Sequence, residues 1–225
     1  MLDFNNIDLI LWDLDGVIYI KDMNEIDVLK LHTIFGKAIN KMEPKISEEE
    51  GLDIINKYYP ENPARFYHNI ERDFGIDKYN LDTIFHELLL ELSDFTDNTY
   101  IDKNDVDMFK LIPGKHFILT QSHKIWAKNI LEKSNLLDFI ENIISSQVTL
   151  DKPKMEDNDL YLEICSELGI NPTRAVMIED SHKNLIAAKK HGLQTVLFNY
   201  GRDIDETYID YQYRDIKDFL SNISK

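Results

Sequence analysis

The sequence predicts an α/β protein, a doubly wound parallel sheet that carries an inserted α-helical domain. Three observations predict this class. Short apolar runs typical of buried strands alternate with amphipathic helical patterns. A long stretch after the first strand has helical patterns and no convincing strand. Acidic or hydroxyl side chains follow several strands at their carboxyl ends, the edge where parallel sheets bind ligands.

The first strand is expected at Leu9–Trp12, an apolar run that leads directly into Asp13 and Asp15. On extended chain, side chains two residues apart point to the same side. Two carboxylates this close disfavour each other's ionisation unless a cation or a shared proton intervenes, so the pair indicates a site. The alternative is an ordinary acidic turn. An EF-hand calcium loop is excluded, because its twelfth position would be Asn24 instead of Glu and a strand precedes it.

The inserted helical domain is predicted over residues 21–99, between core segments 1–20 and 100–225. Apolar residues recur at helical spacing over 31–42 and over 81–92. Ser47, followed by three glutamates, predicts a capped helix start. Four polar side chains near a further helix are candidate substrate contacts: Arg65, Tyr67, His68 and Arg72. Ordinary surface and interior roles are favoured for all four.

The remaining chain alternates between the two kinds of element. We expect strands at 116–120, near 142–145, at 175–178 and at 194–198. Helices are expected at about 124–133, 159–168 and 216–223, and Ser181 is predicted to cap another that runs to Lys190. Polar residues therefore gather after the strands. They are Asp13, Asp15, Thr120, Glu179 and Asp180, with Lys152 a loop beyond the third strand.

Composition excludes several functional classes. With 41 acidic and 25 basic residues the net charge is −16, which argues against a nucleic-acid surface and against binding to anionic membranes. A bound metal ion can still attract a phosphorylated substrate locally. One cysteine excludes a disulfide scaffold and a cysteine-based zinc site. No apolar run reaches the ~18 residues of a membrane span and no signal peptide is evident, so a cytoplasmic setting is expected.

Four motifs in matching positions resemble those of the haloacid dehalogenase superfamily of phosphotransferases. They are D-L-D-G-V at 13–17, I-L-T-Q at 118–121, K-P at 152–153 and M-I-E-D-S at 177–181. The helical insert resembles the cap domain of the superfamily's first subgroup. The resemblance covers nearly the whole chain. It implies a magnesium-dependent phosphoric monoester hydrolase that acts on a small phosphorylated metabolite. We expect the protein to be a monomer or a homodimer.

The resemblance also implies the catalytic roles. Asp13 would be the nucleophile that forms an aspartyl-phosphate, and Asp15 the general acid and base. Mg²⁺ would be held by Asp13, the backbone carbonyl of Asp15, Asp180 and Glu179, since hard oxygen ligands suit this ion. The alternative for the Glu179–Asp180 pair is a charge pair at a helix N-terminus.

Three residues are the predicted phosphate contacts: Thr120, Gln121 and Lys152. Thr120 has the alternative role of capping the next helix, and Gln121 stands where the family more usually has Asn. Lys152 is preferred because it precedes proline, as in the family. Lys154 is its competitor, since the segment from Met155 to Asp159 looks like an insertion before the next helix.

Two branches of the superfamily are suggested. Tyr19 and the run E-D-S-x-x-N, which ends at Asn184, look like the pyrimidine 5′-nucleotidase-like branch, so a nucleoside monophosphate is a candidate substrate. The run D-G-V-I also resembles β-phosphoglucomutase, and a sugar-phosphate mutase is therefore an alternative. A non-catalytic binding protein with the same fold is a third. A receiver domain of two-component signalling is disfavoured, because its phosphorylated Asp follows a middle strand.

Overall fold

A computed structural model of the protein describes residues 2–19, 25–61, 65–92 and 103–223. The chain divides into two compact units. We call Met1–Ile20 with Thr99–Lys225 the core unit, and Lys21–Asn98 the helical unit. Each unit is described by itself below.

The described part of the helical unit contains four α-helices: α1 (Glu25–Met42), α2 (Glu48–Glu61), α3 (Phe66–Phe74) and α4 (Lys78–Leu90). The predicted cap of α2 is present as a reciprocal pair. The Glu50 N–H donates to the Ser47 hydroxyl at 3.2 Å, and the Ser47 N–H donates to the Glu50 carboxylate at 2.8 Å. The buried core centres on Phe35, whose ring lies 4.8 Å from Phe66 and 5.0 Å from Phe85 between centroids.

The core unit is built on a six-stranded sheet in which every pairing is parallel. Its strands are β1 (Leu9–Trp12), β2 (Lys115–Leu119), β3 (Asn142–Ile144), β4 (Ala175–Glu179), β5 (Gln194–Phe198) and β6 (Tyr211–Tyr213). Their order is β3-β2-β1-β4-β5-β6. This is the doubly wound arrangement that the sequence predicts, and the strand order reverses between β1 and β4.

Six α-helices of the core unit lie in the described residues. They are α5 (Lys103–Phe109), α6 (Lys124–Lys133), α7 (Ser146–Thr149), α8 (Leu160–Glu167), α9 (Leu185–Lys190) and α10 (Ile216–Ile223). The predicted cap by Ser181 is wrong. A 3₁₀ turn at His182–Asn184 precedes α9, and the Ser181 hydroxyl makes no capping bond. Thr120 does not cap α6 either, since His123 is its N-cap residue and accepts the Ile125 N–H.

The two faces of β1 pack into different cores. Leu9 and Leu11 join a mainly aliphatic cluster with β4 and α8. Trp12, on the opposite face, lies in an aromatic cluster, with its ring 4.4 Å from that of Phe109 between centroids. Its indole N–H donates to Nδ1 of the buried His116 at 3.1 Å. Burial lowers the pKa of His116, which keeps that imidazole neutral.

Both faces of the central strands are therefore covered, and the ends of the strands are held in fixed positions. Among the helices of the described segments, none combines the length and the apolar character that a membrane span requires.

Candidate active site

The carboxyl ends of β1 and β4 bring three acidic side chains together. Asp13 follows β1, and its N–H donates to the carbonyl of Ile178 in β4 at 2.9 Å. Glu179 is the last residue of β4, and Asp180 follows it. Each of Asp13, Glu179 and Asp180 offers a carboxylate oxygen within 4.8 Å of the others. The cluster lies where the strand order reverses, which is the usual ligand position in such sheets.

Lys154 neutralises part of this cluster. Its ammonium donates to Oδ1 of Asp13 at 2.7 Å, to Oε1 of Glu179 at 2.5 Å and to the carbonyl of Leu119 at 3.3 Å. The lysine is 1% exposed, so solvent screens these bonds little. Lys154 therefore links the ends of β1, β2 and β4 through one charged group.

Glu179 is held by four donors. Its Oε1 accepts from Lys154 and from the side-chain amide of Asn184, the latter at 2.8 Å. Its Oε2 accepts the backbone N–H groups of Asp180 at 3.1 Å and of Ser181 at 3.0 Å. A carboxylate offers about four lone-pair sites. The hydrogen-bonding capacity of this fully buried glutamate is thus filled by the protein itself.

The carboxylates carry more charge than Lys154 balances. Burial, and then the charge of Glu179, raise the pKa of Asp13 well above its ordinary value, although Lys154 opposes this. Burial and Glu179 also raise the pKa of Asp180 to about 7. Burial alone would lower the pKa of Lys154, but Asp13 and Glu179 raise it, so the lysine stays protonated. A divalent cation with a preference for oxygen ligands, such as Mg²⁺, fits this charge and donor set.

Gly16 allows Asp180 to approach the loop after β1. Its backbone has φ +88°, a conformation that glycine adopts without strain. A Cβ placed on Gly16 would lie 2.4 Å from Cγ of Asp180, which is closer than any real contact. The glycine of the first motif therefore serves two needs, the turn of the chain and the space for a site carboxylate.

Asp15 is oriented by the segment that follows β2. The Ser122 hydroxyl donates to its Oδ2 at 2.7 Å, and the indole N–H of Trp126 donates to its Oδ1 at 3.1 Å. Thr120, at the end of β2, is buried, and its hydroxyl accepts the Ser122 N–H at 3.0 Å. Gln121, the next residue, is exposed. Neither Ser122 nor Trp126 carries a motif signal, so the sequence did not indicate them.

The structure corrects the choice of lysine. Lys152 is partly exposed and forms an ion pair with Glu163 of α8, away from Asp13. Lys154 occupies the position that was predicted for Lys152. The preference for Lys152 rests on the proline that follows it, and that pairing does not fix where a lysine side chain points. Turns and bends surround Pro153, and the two lysines reach different partners.

The loop after β5 also contacts the site. The Tyr200 hydroxyl donates to the carbonyl of Gly16 at 2.5 Å, and the Arg202 guanidinium donates to the carbonyl of Asp180 at 2.9 Å. Tyr200 has φ +51°, a left-handed conformation that non-glycine residues adopt at some cost. One loop thus fastens the backbones of the first and fourth motifs. Sequence reasoning missed it because no recognised motif lies there.

The buried acid–lysine cluster lies where the strand order of the parallel sheet reverses. This is the arrangement of an α/β enzyme site that would bind a charged ligand. The family model of haloacid dehalogenase-like hydrolases matches residues 7–192. The chain belongs to this family of hydrolases, as the four motifs suggest.

Individual relatives are more distant. A Clostridium perfringens protein, provisionally named as the pyrophosphatase PpaX, is 27% identical over 203 residues, which span 85% of this chain and 83% of that protein. A HAD phosphatase from Thermococcus onnurineus has a similar structure, with a TM-score of 0.65 at 21% identity over 96% of this chain and 98% of its own. CbbY from Rhodobacter sphaeroides also has a similar structure, with a TM-score of 0.60 at 17% identity over 93% of this chain and 95% of its own. These two comparisons show that the chain shares the fold of both proteins.

Proposed function

We propose that the protein is a magnesium-dependent phosphatase that hydrolyses a small phosphorylated metabolite through an aspartyl-phosphate intermediate. The observation that carries the proposal is the setting of Asp13. This carboxylate is 6% exposed, and Lys154 holds one of its oxygens. Within the described segments no donor is bonded to its other oxygen, Oδ2. A fixed carboxylate with one uncommitted oxygen suits a nucleophile.

The proposed reaction has two displacements at phosphorus. An oxygen of Asp13 attacks the phosphorus atom and the bond to the leaving oxygen breaks, while Asp15 gives its proton to that oxygen. Asp15, now a carboxylate, takes a proton from the water that attacks the aspartyl-phosphate. Phosphate leaves, and both aspartates return to their starting states. The net reaction is an ester and water giving an alcohol and phosphate.

The metal would be held by the carboxylates of Asp13 and Asp180 and by the backbone carbonyl of Asp15. When bound, Mg²⁺ supplies positive charge that stabilises the transferring phosphoryl group. We assign Glu179, one of the ligands predicted from the sequence, a supporting role instead. Its lone-pair sites already meet four donors, so it is suited to hold Lys154 in place.

The phosphoryl group would accept a hydrogen bond from Thr120 and would be stabilised by the charge of Lys154. The three ammonium hydrogens of Lys154 are already donated within the protein, so the lysine acts through its charge. Lys154 carries a positive charge beside Asp13, and this charge offsets repulsion between the nucleophile and an anionic substrate. The Thr120 hydroxyl accepts one hydrogen bond, and in the described part of the chain its own hydrogen has no acceptor. That hydrogen is therefore available for a phosphoryl oxygen. The exposed Gln121 stays a prediction for a contact at the rim.

The substrate class is less constrained. Nucleoside monophosphates were suggested by the sequence motifs, and pyrophosphate is added by the name of the Clostridium perfringens relative. We propose that the helical unit acts as the cap that selects among them. The cytoplasmic setting and the monomeric or dimeric state stay predictions from the sequence.

The test is phosphate release from nucleoside monophosphates, sugar phosphates and pyrophosphate, with Mg²⁺ and with chelator. Asp13→Asn is expected to abolish release while the circular dichroism spectrum is unchanged. The matched control is Asp8→Asn, which removes an acid at the opposite end of β1 that pairs with Arg174, and it should retain activity. Release by Asp13→Asn at the wild-type rate would refute the nucleophile assignment.

Two further outcomes would redirect the proposal. Conversion of one sugar phosphate into its isomer, without release of phosphate, would identify the mutase alternative. No Asp13-dependent turnover of any compound would favour the non-catalytic alternative.

A further inference from the structure

Asp15 accepts hydrogen bonds from two side chains of one short segment of the chain. Ser122 lies just before the N-cap residue of α6 and Trp126 lies in its first turn, and each donates to a different oxygen of the Asp15 carboxylate. The two bonds measure 2.7 Å and 3.1 Å. Because both oxygens are held, the plane of the carboxylate is fixed as well as its position.

Trp126 is itself immobilised against the loop that carries Asp15. The indole is 3% exposed, and its ring meets the ring of Tyr19 edge-on, at 5.7 Å between centroids and 90° between planes. Tyr19 belongs to the same loop as Asp15, since the Gly16 N–H donates to the Tyr19 carbonyl at 2.7 Å and the Tyr19 N–H donates to the Leu14 carbonyl at 2.9 Å. Trp126 thus contacts this loop twice, once by packing and once by its N–H.

A buried tryptophan needs an acceptor for its N–H, and a backbone carbonyl would satisfy that need. Trp126 instead uses the carboxylate that the proposed mechanism employs for proton transfer. We infer that Trp126 and Ser122 are positioning residues that orient Asp15 toward the leaving oxygen and toward the attacking water. The inference rests on the proposed function. Each Asp15 oxygen keeps a further lone-pair site beyond the bond that holds it, so a proton can still be carried there.

This role makes a prediction that depends on the leaving group. Phenyl phosphate and p-nitrophenyl phosphate have similar shapes, but nitrophenolate departs without being protonated and phenolate is far more basic. Misplacing the acid should therefore slow the first displacement for phenyl phosphate more than for p-nitrophenyl phosphate. The quantity to compare is kcat/KM, which reports the transition state relative to free enzyme and substrate.

The principal variant is Trp126→Phe, which keeps an aromatic ring against Tyr19 and removes the N–H donor. We expect kcat/KM for phenyl phosphate to fall by about tenfold or more, because the lost hydrogen bond would stabilise the negative charge that Asp15 gains as it gives up its proton. For p-nitrophenyl phosphate the fall should be several times smaller. Slower breakdown of the aspartyl-phosphate should also produce a burst of nitrophenol. Ser122→Ala should act in the same direction, and it serves if Trp126→Phe does not fold.

Trp12→Phe is the matched control. It changes the other of the two tryptophans, which is also buried and also donates its N–H to a side chain, that of His116. It should lower the free energy of unfolding and leave the ratio of the two kcat/KM values as in the wild type. Equal losses on both substrates in Trp126→Phe and Ser122→Ala, or no loss on either, would overturn the positioning role. A wild-type enzyme without Asp13-dependent activity would overturn the proposed function, and this inference with it.

Discussion

Replacing each of the two lysines on either side of Pro153 by methionine gives the sharpest test of the site. Lys154→Met leaves the carboxylates of Asp13 and Glu179 buried without their cation. Removing one partner of a buried ion pair costs about 3–5 kcal/mol, because the remaining charge is neither solvated nor paired. A domain is typically stable by about 5–15 kcal/mol, so the variant should fold with a much smaller margin.

Lys152→Met should behave differently. Its ion pair with Glu163 lies at the surface, where the two side chains are 36% and 50% exposed. Exposed pairs contribute about 0–1 kcal/mol, since water and salt screen them. Activity should be close to that of the wild type, because Lys152 contacts none of the site carboxylates in the described structure.

Urea unfolding, monitored by circular dichroism, measures the change in stability of each variant, and phosphate release measures the change in activity. Lys154→Met should lose at least about a hundredfold in kcat, the scale reported for removing one charge-stabilising donor. Its deficit in stability should narrow as the pH falls, because Asp13, whose pKa is raised by burial, no longer needs an ammonium partner once it is protonated. Loss of activity in Lys152→Met with retention in Lys154→Met would refute the assignment of the site lysine.

Three further predictions follow from contacts described above. Gly16→Ala should cost more stability than Gly169→Ala, because both residues have positive φ but only at Gly16 would the new Cβ collide with Asp180. A loss of about 1–2 kcal/mol is expected at Gly169, whose surroundings are open, and equal losses of the two variants in urea unfolding would contradict the clash. Chelation should abolish turnover, and Mg²⁺ at about 100 times its Kd should restore it and add about 2.7 kcal/mol to the free energy of unfolding; an Asp180→Asn variant that gained as much would argue against Asp180 as a ligand. His116 has a lowered pKa, so the stability it contributes is present above its unfolded pKa of about 6.5 and is lost as the pH falls below that value. His116→Gln should flatten this part of the profile of unfolding free energy against pH, whereas parallel profiles would show that His116 does not titrate in this way.

Most of the core fold could be predicted because its signals are strong and local. The run Leu9–Trp12 is apolar, short and followed by acids, and both of its faces are buried in the sheet. Strand β6 was missed because its three residues, Y-Q-Y, are too few to show a pattern. Helix α7, with four residues, was missed for the same reason.

The acidic members of the site were predictable because parallel strands end at a common edge, so residues after β1 and β4 must meet there. The lysine was not, since its direction depends on turns around Pro153 that the spacing does not encode. Trp126 was equally hidden. A tryptophan on the buried side of an amphipathic helix looks like a core residue, and only the folded structure shows its N–H on Asp15.

The bond between Asp13 and Lys154 joins residues 141 positions apart, and Ser122 lies 107 positions from Asp15. Closing such long loops costs conformational entropy, and contacts of this kind slow folding. During synthesis β1 emerges first, but β2 and β4, its neighbours in the sheet, follow only after the whole helical unit. The helical unit is contiguous in sequence and has its own core, so it can fold while β1 still has no partner. We therefore expect the helical unit to gain protection from hydrogen exchange early, and the proposed catalytic centre to form among the last parts of the chain.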